Sequence, residues 1–144
     1  MIFLKITKNK VKLLLFYFFI SLLLSVPFAF LIAYINRTIG FEHYEKIKII
    51  IYSLNILNLF IISYFVLAFL KKKLFFKKYF IELIKVFLIF FIAKKIHTLF
   101  LTLLYKTVRS EIYFSNAMQI TGFILQVIIY YIAVCFVFKF CYKK

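Results

Sequence analysis

The sequence has no Asp and no Trp, and it has only two Gly, one Pro and two Cys among its 144 residues. So few turn-forming residues exclude a collagen-like or loop-rich architecture. Intrinsic disorder is excluded as well, because it requires low hydrophobicity and few aromatic residues, whereas this chain is 67% hydrophobic and 23% aromatic. An average soluble domain is only about 45–50% apolar. A soluble enzyme of this size would leave many of its 22 Phe in water, so we expect a helical protein whose solvent is lipid.

Charge of one sign dominates the chain. Twenty Lys and Arg stand against four Glu, which gives a formal net charge of +16. In a soluble protein this balance would indicate nucleic-acid binding, but here the lysines lie at the ends of apolar runs. We therefore predict anionic phospholipid as a partner, and no nucleic acid. Cys135 and Cys141 are spaced neither as a redox pair nor as metal ligands, so we expect no metal and no cofactor.

Four apolar stretches are long enough to cross a membrane, since a spanning helix needs about 20 apolar residues. They predict an all-α polytopic membrane protein, in which residues 1–144 form one membrane domain with four transmembrane helices arranged as two hairpins. The predicted spans are about 12–35, 48–70, 79–105 and 114–138. The third span is the least regular, because five polar residues interrupt it: Glu82, Lys85, Lys94, Lys95 and His97.

The distribution of basic residues predicts the orientation of the spans. The N-terminus, the second connection and the C-terminal tail together hold twelve basic residues, whereas the other two connections hold five. The positive-inside rule then places both termini in the cytoplasm. The Lys, Phe and Ile bias is typical of an AT-rich bacterium, so we expect the inner membrane of a bacterial cell. Five of the twelve form a basic loop that we predict to contact acidic lipid: Lys71, Lys72, Lys73, Lys77 and Lys78.

The two predicted hairpins have the features of a tandem repeat. An offset of 69 residues aligns five pairs of residues: Arg37 with Lys106, Thr38 with Thr107, Ile39 with Val108, Glu42 with Glu111, and Tyr44 with Tyr113. Two such copies would be parallel repeats, related by an axis along the membrane normal. Compositional coincidence is the alternative explanation, because a chain rich in Lys, Phe and Ile matches itself easily.

Each half of the chain closes with an apolar helix that runs into an aromatic and basic tail. These tails are Phe69-Leu70-Lys71-Lys72-Lys73-Leu74-Phe75-Phe76 and Phe136-Val137-Phe138-Lys139, and Ile39-Gly40-Phe41 precedes the second helix. With these features the chain resembles the GtrA-like family of small membrane proteins. The resemblance implies four helices in two similar halves. It also implies an activity in moving polyprenyl-phosphate-linked sugars across the membrane, or in assisting the enzymes that use them.

The third span contains the candidate site. A lysine in the middle of a bilayer costs about 2.5–3.5 kcal/mol on insertion scales, so two adjacent lysines there need a reason. At 100° per residue, one stripe of the helix holds Lys95, Thr98, Thr102 and Lys106, with Lys94 beside it. We predict an anion-binding or partner-binding site that consists of Lys94, Lys95, His97, Thr98 and Thr102.

Three explanations of this set stay open. No carboxylate is expected deep in the membrane, because Glu82 lies about one turn from the cytoplasmic end, where it can pair with Lys85. In the first explanation, the lysines bind an anionic ligand such as a lipid phosphate. In the second, they pair with a carboxylate of another subunit. Alternatively, the third helix is short or tilted, and the lysine side chains extend outward to the interface.

Polar residues in the second and fourth spans are predicted to form interhelical hydrogen bonds and packing contacts. These residues are Asn55, Asn58, Gln119, Gly122, Gln126 and Tyr130. Catalytic signatures are missing from the sequence, which has no HExxH motif, no glycine-rich phosphate loop and no acid placed to orient a histidine. We therefore expect no enzymatic activity.

Two functions are compatible with this pattern. The first is a GtrA-like protein that translocates, or helps to translocate, a polyprenyl-phosphate-linked sugar for cell-envelope polysaccharide synthesis. The second is a non-transporting accessory, assembly or immunity subunit of a larger membrane complex. In both cases we expect a homo-oligomer or a complex with other membrane subunits, because the Lys94 and Lys95 stripe is difficult to bury among four helices.

Overall fold

The computed structural model describes residues 6–39, 44–71, 79–107 and 116–141, and these residues form four α-helices. The helices are α1 (Lys8–Ile39), α2 (Tyr44–Lys71), α3 (Phe80–Thr107) and α4 (Asn116–Cys141). Each helix is long and apolar enough to cross a membrane. The predicted all-α class with four long apolar helices is therefore confirmed.

The observed helices follow the predicted spans but extend beyond most of their limits. The first helix extends by about a turn at both ends of the predicted 12–35, because Lys8 and Arg37 are accommodated in its terminal turns. Its first turn closes with a hydrogen bond from the Val11 amide to the Thr7 carbonyl at 3.1 Å. Pro27 lies inside this helix, where its ring nitrogen has no hydrogen to donate to the preceding turn.

The helices pack in a ring in which each one contacts the helix before it and the helix after it in sequence, and α1 also contacts α4. Ring contacts join the first three helices. Phe16, near the start of α1, stacks on Phe69, near the end of α2, with centroids 4.3 Å apart. Phe60 of α2 meets Phe87 of α3 edge to face, with centroids 5.7 Å apart.

The hydrophobic core lies mainly at one end of this ring, which we call the closed end. It is the end at which α1 and α3 begin and α2 and α4 finish. The fully buried large side chains there come from all four helices, and they include Leu13, Val66, Val86, Phe90, Val134 and Val137. The opposite half of α1 is much less covered, and Phe30 in that half is 74% exposed.

Little of the apolar surface is buried within the chain. Between 6% and 28% of the residues in the most apolar stretch of each helix are buried. Soluble monomers rarely expose contiguous apolar patches larger than a few hundred Å². The surfaces of all four helices therefore suit a hydrocarbon environment rather than water.

An ion pair joins α2 to α3 at the closed end. The Lys71 ammonium lies 3.1 Å from Glu82 Oε2 and also lies over the Tyr79 ring, 5.5 Å from its centroid. Glu82 therefore pairs across helices with Lys71, rather than with Lys85 one turn along its own helix. Of the five loop lysines predicted to contact acidic lipid, only Lys71 is within the described residues, and Lys72, Lys73, Lys77 and Lys78 lie outside them.

Candidate anion-binding cavity

A polar cavity of about 210 Å³ lies near the midpoints of the four helices. Every helix contributes to its lining, because each carries a polar residue at the height where the core ends. The polar lining residues are Tyr17 and Ser21 of α1, Asn58 of α2, Lys94, His97 and Thr98 of α3, and Gln126 and Tyr130 of α4. The cavity therefore gathers polar groups from distant parts of the sequence into one place.

Stacked aromatic rings form the boundary between the cavity and the closed end. Tyr17 stacks on Phe90 with centroids 4.4 Å apart and on Tyr130 with centroids 4.8 Å apart. Because Tyr17 and Phe90 are buried against the core, the rings separate the polar cavity from the closed end.

Lys94 provides the cation of this cavity. Its residue is partly buried, and its backbone carbonyl accepts a hydrogen bond of 2.9 Å from the Thr98 hydroxyl. The carboxylates in the described part of the chain are Glu45, at the start of α2, and Glu82, which pairs with Lys71. Neither of these two glutamates lines the cavity. Lys94 therefore has no carboxylate of the described residues beside it in the cavity, and its charge is available to an anion from outside the chain.

Two residues that line the cavity each have one polar atom that is buried without a hydrogen-bond partner among the described residues. These atoms are Oδ1 of Asn58 and Nε2 of His97. The His97 ring meets Tyr130 edge to face, with centroids 6.3 Å apart. Buried polar atoms are rarely left unsatisfied in native proteins, and an exception often marks a bound water or ligand. Both atoms are inaccessible to solvent in this structure, so neither faces the open part of the cavity.

A groove of about 320 Å³ between α2 and α3 adjoins the cavity. Lys94, Thr98 and Leu59 line both spaces. Lys95 lines only the groove, where its ammonium lies 5.1 Å from the centroid of the Tyr52 ring and 5.5 Å from that of Phe91. The electron-rich faces of these rings attract the ammonium, so the two adjacent lysines have different surroundings.

The predicted site residues are thus only partly brought together. Lys94, His97 and Thr98 line the cavity, whereas Lys95 lies in the groove beside it. Thr102 is one turn further along α3 and exposed, and its hydroxyl donates to the Thr98 carbonyl at 2.9 Å. Thr102 therefore lines neither space.

Sequence reasoning assigned several cavity residues to helix packing or did not single them out. Asn58, Gln126 and Tyr130 were expected to pack helices, yet they line the cavity. The signal was present in the stripe formed by Gln119, Gly122, Gln126 and Tyr130 along one face of α4. Tyr17 gave no such signal, because an aromatic residue within an apolar helix looks like any other core residue.

A third space is an apolar groove of about 510 Å³ on the surface of α3 and α4. Its lining is aliphatic and aromatic, with Ala93 and Ala133 among the smaller residues. Such a surface suits hydrocarbon chains.

No group of three or more His, Cys, Asp or Glu that could hold a metal ion occurs within the described ranges.

No family model, no curated protein and no solved structure matches this chain.

Proposed function

We propose that this chain is a multi-pass protein of a bacterial inner membrane, in which two helical hairpins cross the bilayer and both termini are cytoplasmic. The length, hydropathy and low burial of the four helices support insertion. The twelve basic residues of the N-terminus, second connection and tail support the orientation. In this orientation the closed end faces the cytoplasm, and the polar cavity lies near the middle of the bilayer.

The cavity binds an anionic group, and Lys94 is the residue that holds it. The observation that carries this proposal is a lysine at the midpoint of a membrane helix that faces an interior cavity without a carboxylate among the described residues. An uncompensated charge at this depth is costly. Because bound anion would compensate the charge, the cost is explained by ligand binding.

The anion is the phosphate of a lipid-linked sugar, which the protein translocates or helps to translocate. The α2–α3 groove supports a membrane-embedded ligand, because Lys94 and Thr98 line both the groove and the cavity. A phosphate head group could therefore reach Lys94 while its hydrocarbon chain stayed in lipid. The resemblance of the two aromatic and basic tails to those of the GtrA-like family supports a polyprenyl-phosphate carrier as the ligand.

Reconstitution with a labelled carrier lipid tests this proposal. The wild-type protein in lipid nanodiscs is expected to retain a polyprenyl phosphate through purification, as measured by native mass spectrometry. Lys94→Leu is expected to lose the lipid. Lys85→Leu is the matched control, because Lys85 is an exposed lysine of the same helix that lines neither the cavity nor the groove.

The outcome separates ligand binding from simple solvation of the lysines. Equal lipid retention by the wild type and Lys94→Leu would contradict the proposal. If Lys94→Leu does lose the lipid, a second measurement separates translocation from binding alone. It follows the movement of a fluorescent polyprenyl phosphate between the leaflets of proteoliposomes. Loss of movement in Lys94→Leu, with movement kept in Lys85→Leu, is the result expected of a translocator.

A second candidate function is an accessory, assembly or immunity subunit of a larger membrane complex. The position of Lys95 in the α2–α3 groove favours it, because a carboxylate on a partner's helix could approach the ammonium from the lipid side. Co-purification in mild detergent tests this alternative. Release of a defined protein partner by Lys95→Leu, but not by Lys85→Leu, would support the subunit role over the lipid-linked role.

A further inference from the structure

The cavity and the α2–α3 groove meet at Lys94 and Thr98, which line both spaces. The residues that α1 and α4 contribute line the cavity but not the groove, and these two helices contact each other on the opposite side of the ring. A phosphate held by Lys94 with its hydrocarbon chain in the groove would therefore direct its other substituent toward α1 and α4. The groups on that side of the cavity determine what the substituent can be.

The α1 and α4 side of the cavity is polar but uncharged. Its lining residues are Tyr17, Ser21, Gln126 and Tyr130. The Gln126 amide and the Ser21 hydroxyl can each donate and accept hydrogen bonds, and the two tyrosines add aromatic rings. Because none of these four residues carries a charge, they suit a neutral group that has hydroxyls and C–H surfaces better than they suit a second anion.

The Ser21 hydroxyl is available to such a group. Serine and threonine side chains within helices often bond to a backbone carbonyl of the preceding turn. In this chain the hydroxyls of several residues do so, namely Ser25, Ser53, Ser63, Thr98 and Thr102. Ser21 is partly buried, yet its hydroxyl makes no hydrogen bond with the described residues and its oxygen stays accessible.

The Gln126 amide is available in the same way. Gln126 is partly buried in α4, and its side chain makes no hydrogen bond within the described part of the chain and remains accessible. A polar group in an apolar environment costs free energy unless it is paired. Two unpaired groups on neighbouring helices, both lining one cavity, therefore indicate a ligand that bonds to both.

We propose that the sugar of the lipid-linked ligand lies in this cavity and that Gln126 and Ser21 bind its hydroxyl groups. The inference rests on the proposed binding of a lipid-linked sugar phosphate at Lys94, and it names the residues that recognise the sugar. Sugar hydroxyls donate and accept hydrogen bonds, as the Gln126 amide and the Ser21 hydroxyl do. The C–H surfaces of the sugar suit the tyrosine rings beside them. Gln126 and Ser21 are thus the specificity-determining residues of the site.

The hydrogen bonds to the sugar set the size of the expected preference. Two hydrogen bonds of ordinary net strength tighten binding by about tenfold or more. A site that bonds to a ligand hydroxyl also rejects an analogue without it, because the polar groups of the site are then left unpaired. We therefore expect at least about a tenfold loss of affinity when the sugar is replaced by a methyl group.

Two lipid probes of equal charge test this preference: polyprenyl phosphoglucose and polyprenyl methyl phosphate. Both are phosphodiesters with a single negative charge and the same hydrocarbon chain, so they differ only in the group that enters the cavity. Glucose represents a neutral sugar with several free hydroxyls. Each probe is titrated into lipid nanodiscs that contain the full chain. Glucose 1-phosphate is titrated as a competitor, which distinguishes a soluble sugar phosphate from a lipid-linked one.

Gln126→Leu and Ser21→Ala remove the proposed sugar contacts one at a time. Each is expected to lower the preference by about threefold, and the double variant should bind the two lipid probes equally. Gln119→Leu is the control for Gln126, because Gln119 is an exposed glutamine two turns earlier in α4 that lines neither space. Ser25→Ala is the control for Ser21, because the Ser25 hydroxyl already bonds to its own helix backbone at 2.7 Å. Both controls should keep the wild-type preference.

The outcomes separate this inference from the proposed function, and the wild-type ratio tests the inference without any variant. Equal wild-type affinity for the two lipid probes, with binding lost in Lys94→Leu, overturns sugar recognition and leaves anion binding in place. A preference that the double variant retains overturns the assignment to Gln126 and Ser21. Binding that Lys94→Leu leaves unchanged, or tighter binding of glucose 1-phosphate than of the lipid probe, overturns the proposed function as well. A preference that the double variant abolishes and both controls retain confirms the inference.

Discussion

The ring of Tyr17 lies parallel to the ring of Phe90, with their centroids 4.4 Å apart and their planes inclined by 13°. This contact joins α1 to α3 across the bundle. Tyr130 of α4 also stacks on Tyr17. The three rings mark the height at which the apolar core of the closed end gives way to the polar cavity. They therefore connect the stability of the fold to the shape of the site.

Phe90→Ala is expected to destabilise the protein by about 3–5 kcal/mol, because it leaves a cavity where a fully buried ring was. The free energy of unfolding in mixed micelles measures the effect. Phe30→Ala is the control, since Phe30 is 74% exposed and its loss should change the free energy by no more than about 0.5 kcal/mol. Equal effects of the two substitutions would contradict a core confined to the closed end.

Lys94→Leu and Lys95→Leu are expected to differ in stability. Loss of the Lys94 charge removes a desolvation cost, so this variant should be more stable than the wild type, by at most about 2.5–3.5 kcal/mol. Lys95→Leu also removes the contacts with Tyr52 and Phe91, which are worth about 0.5–2 kcal/mol. Its gain should therefore be smaller. Thermal unfolding of both variants in the same detergent measures the difference, and a larger gain for Lys95→Leu would argue against the interior position of Lys94.

Gly122 marks a close approach of α3 and α4. A Cβ atom at this position would lie 3.2 Å from Leu101 Cδ2, a flexible side chain that can move by a few tenths of an ångström. Gly122→Ala should be close to neutral, because a gain in helix propensity of about 1 kcal/mol offsets the cost of displacing the Leu101 side chain. Gly122→Leu should cost about 1–3 kcal/mol by overpacking. Addition of Leu101→Ala should recover part of that loss, and a double variant no more stable than Gly122→Leu would refute the contact.

The predicted orientation is testable with reporter fusions. A fusion after Lys144 should report the cytoplasm, and a fusion near Glu42, in the first connection, should report the exterior. The reason is the unequal distribution of basic residues, twelve against five. A cytoplasmic signal near Glu42, or an external C-terminus, would rule out the proposed topology.

Replacement of the five loop lysines, Lys71, Lys72, Lys73, Lys77 and Lys78, by Gln should weaken retention of acidic lipid or invert the second hairpin. Each lysine near an anionic surface contributes about 1 kcal/mol. Lys71→Gln alone is the control, because Lys71 pairs with Glu82 and a partly exposed pair of this kind contributes only about 0–1 kcal/mol. Lipid analysis of the purified variants measures retention. If neither lipid content nor orientation changes in the fivefold variant, the loop is a solvated connector.

The candidate site was predictable in part. Lys94 and Lys95 are conspicuous in the sequence, because charge within an apolar span has a high cost whatever the fold. Their separation was not predictable, since adjacent residues on a helix differ by 100° in direction and only the neighbouring helices determine what each direction meets. Asn58 and Tyr130 join Lys94 because α2 and α4 pack against α3 at that height.

The sequence by itself determined that the chain is all-α with four long apolar helices, because composition and the length of apolar runs depend on no tertiary contact. Only the tertiary structure decided where the core lies, that Glu82 pairs with Lys71 rather than Lys85, and that Asn58 and His97 each have a buried atom without a hydrogen-bond partner among the described residues. These features depend on which helix faces which, and in apolar helices that choice is made by side-chain packing. A nearly uniform hydrophobic pattern leaves no amphipathic face from which the choice could be predicted.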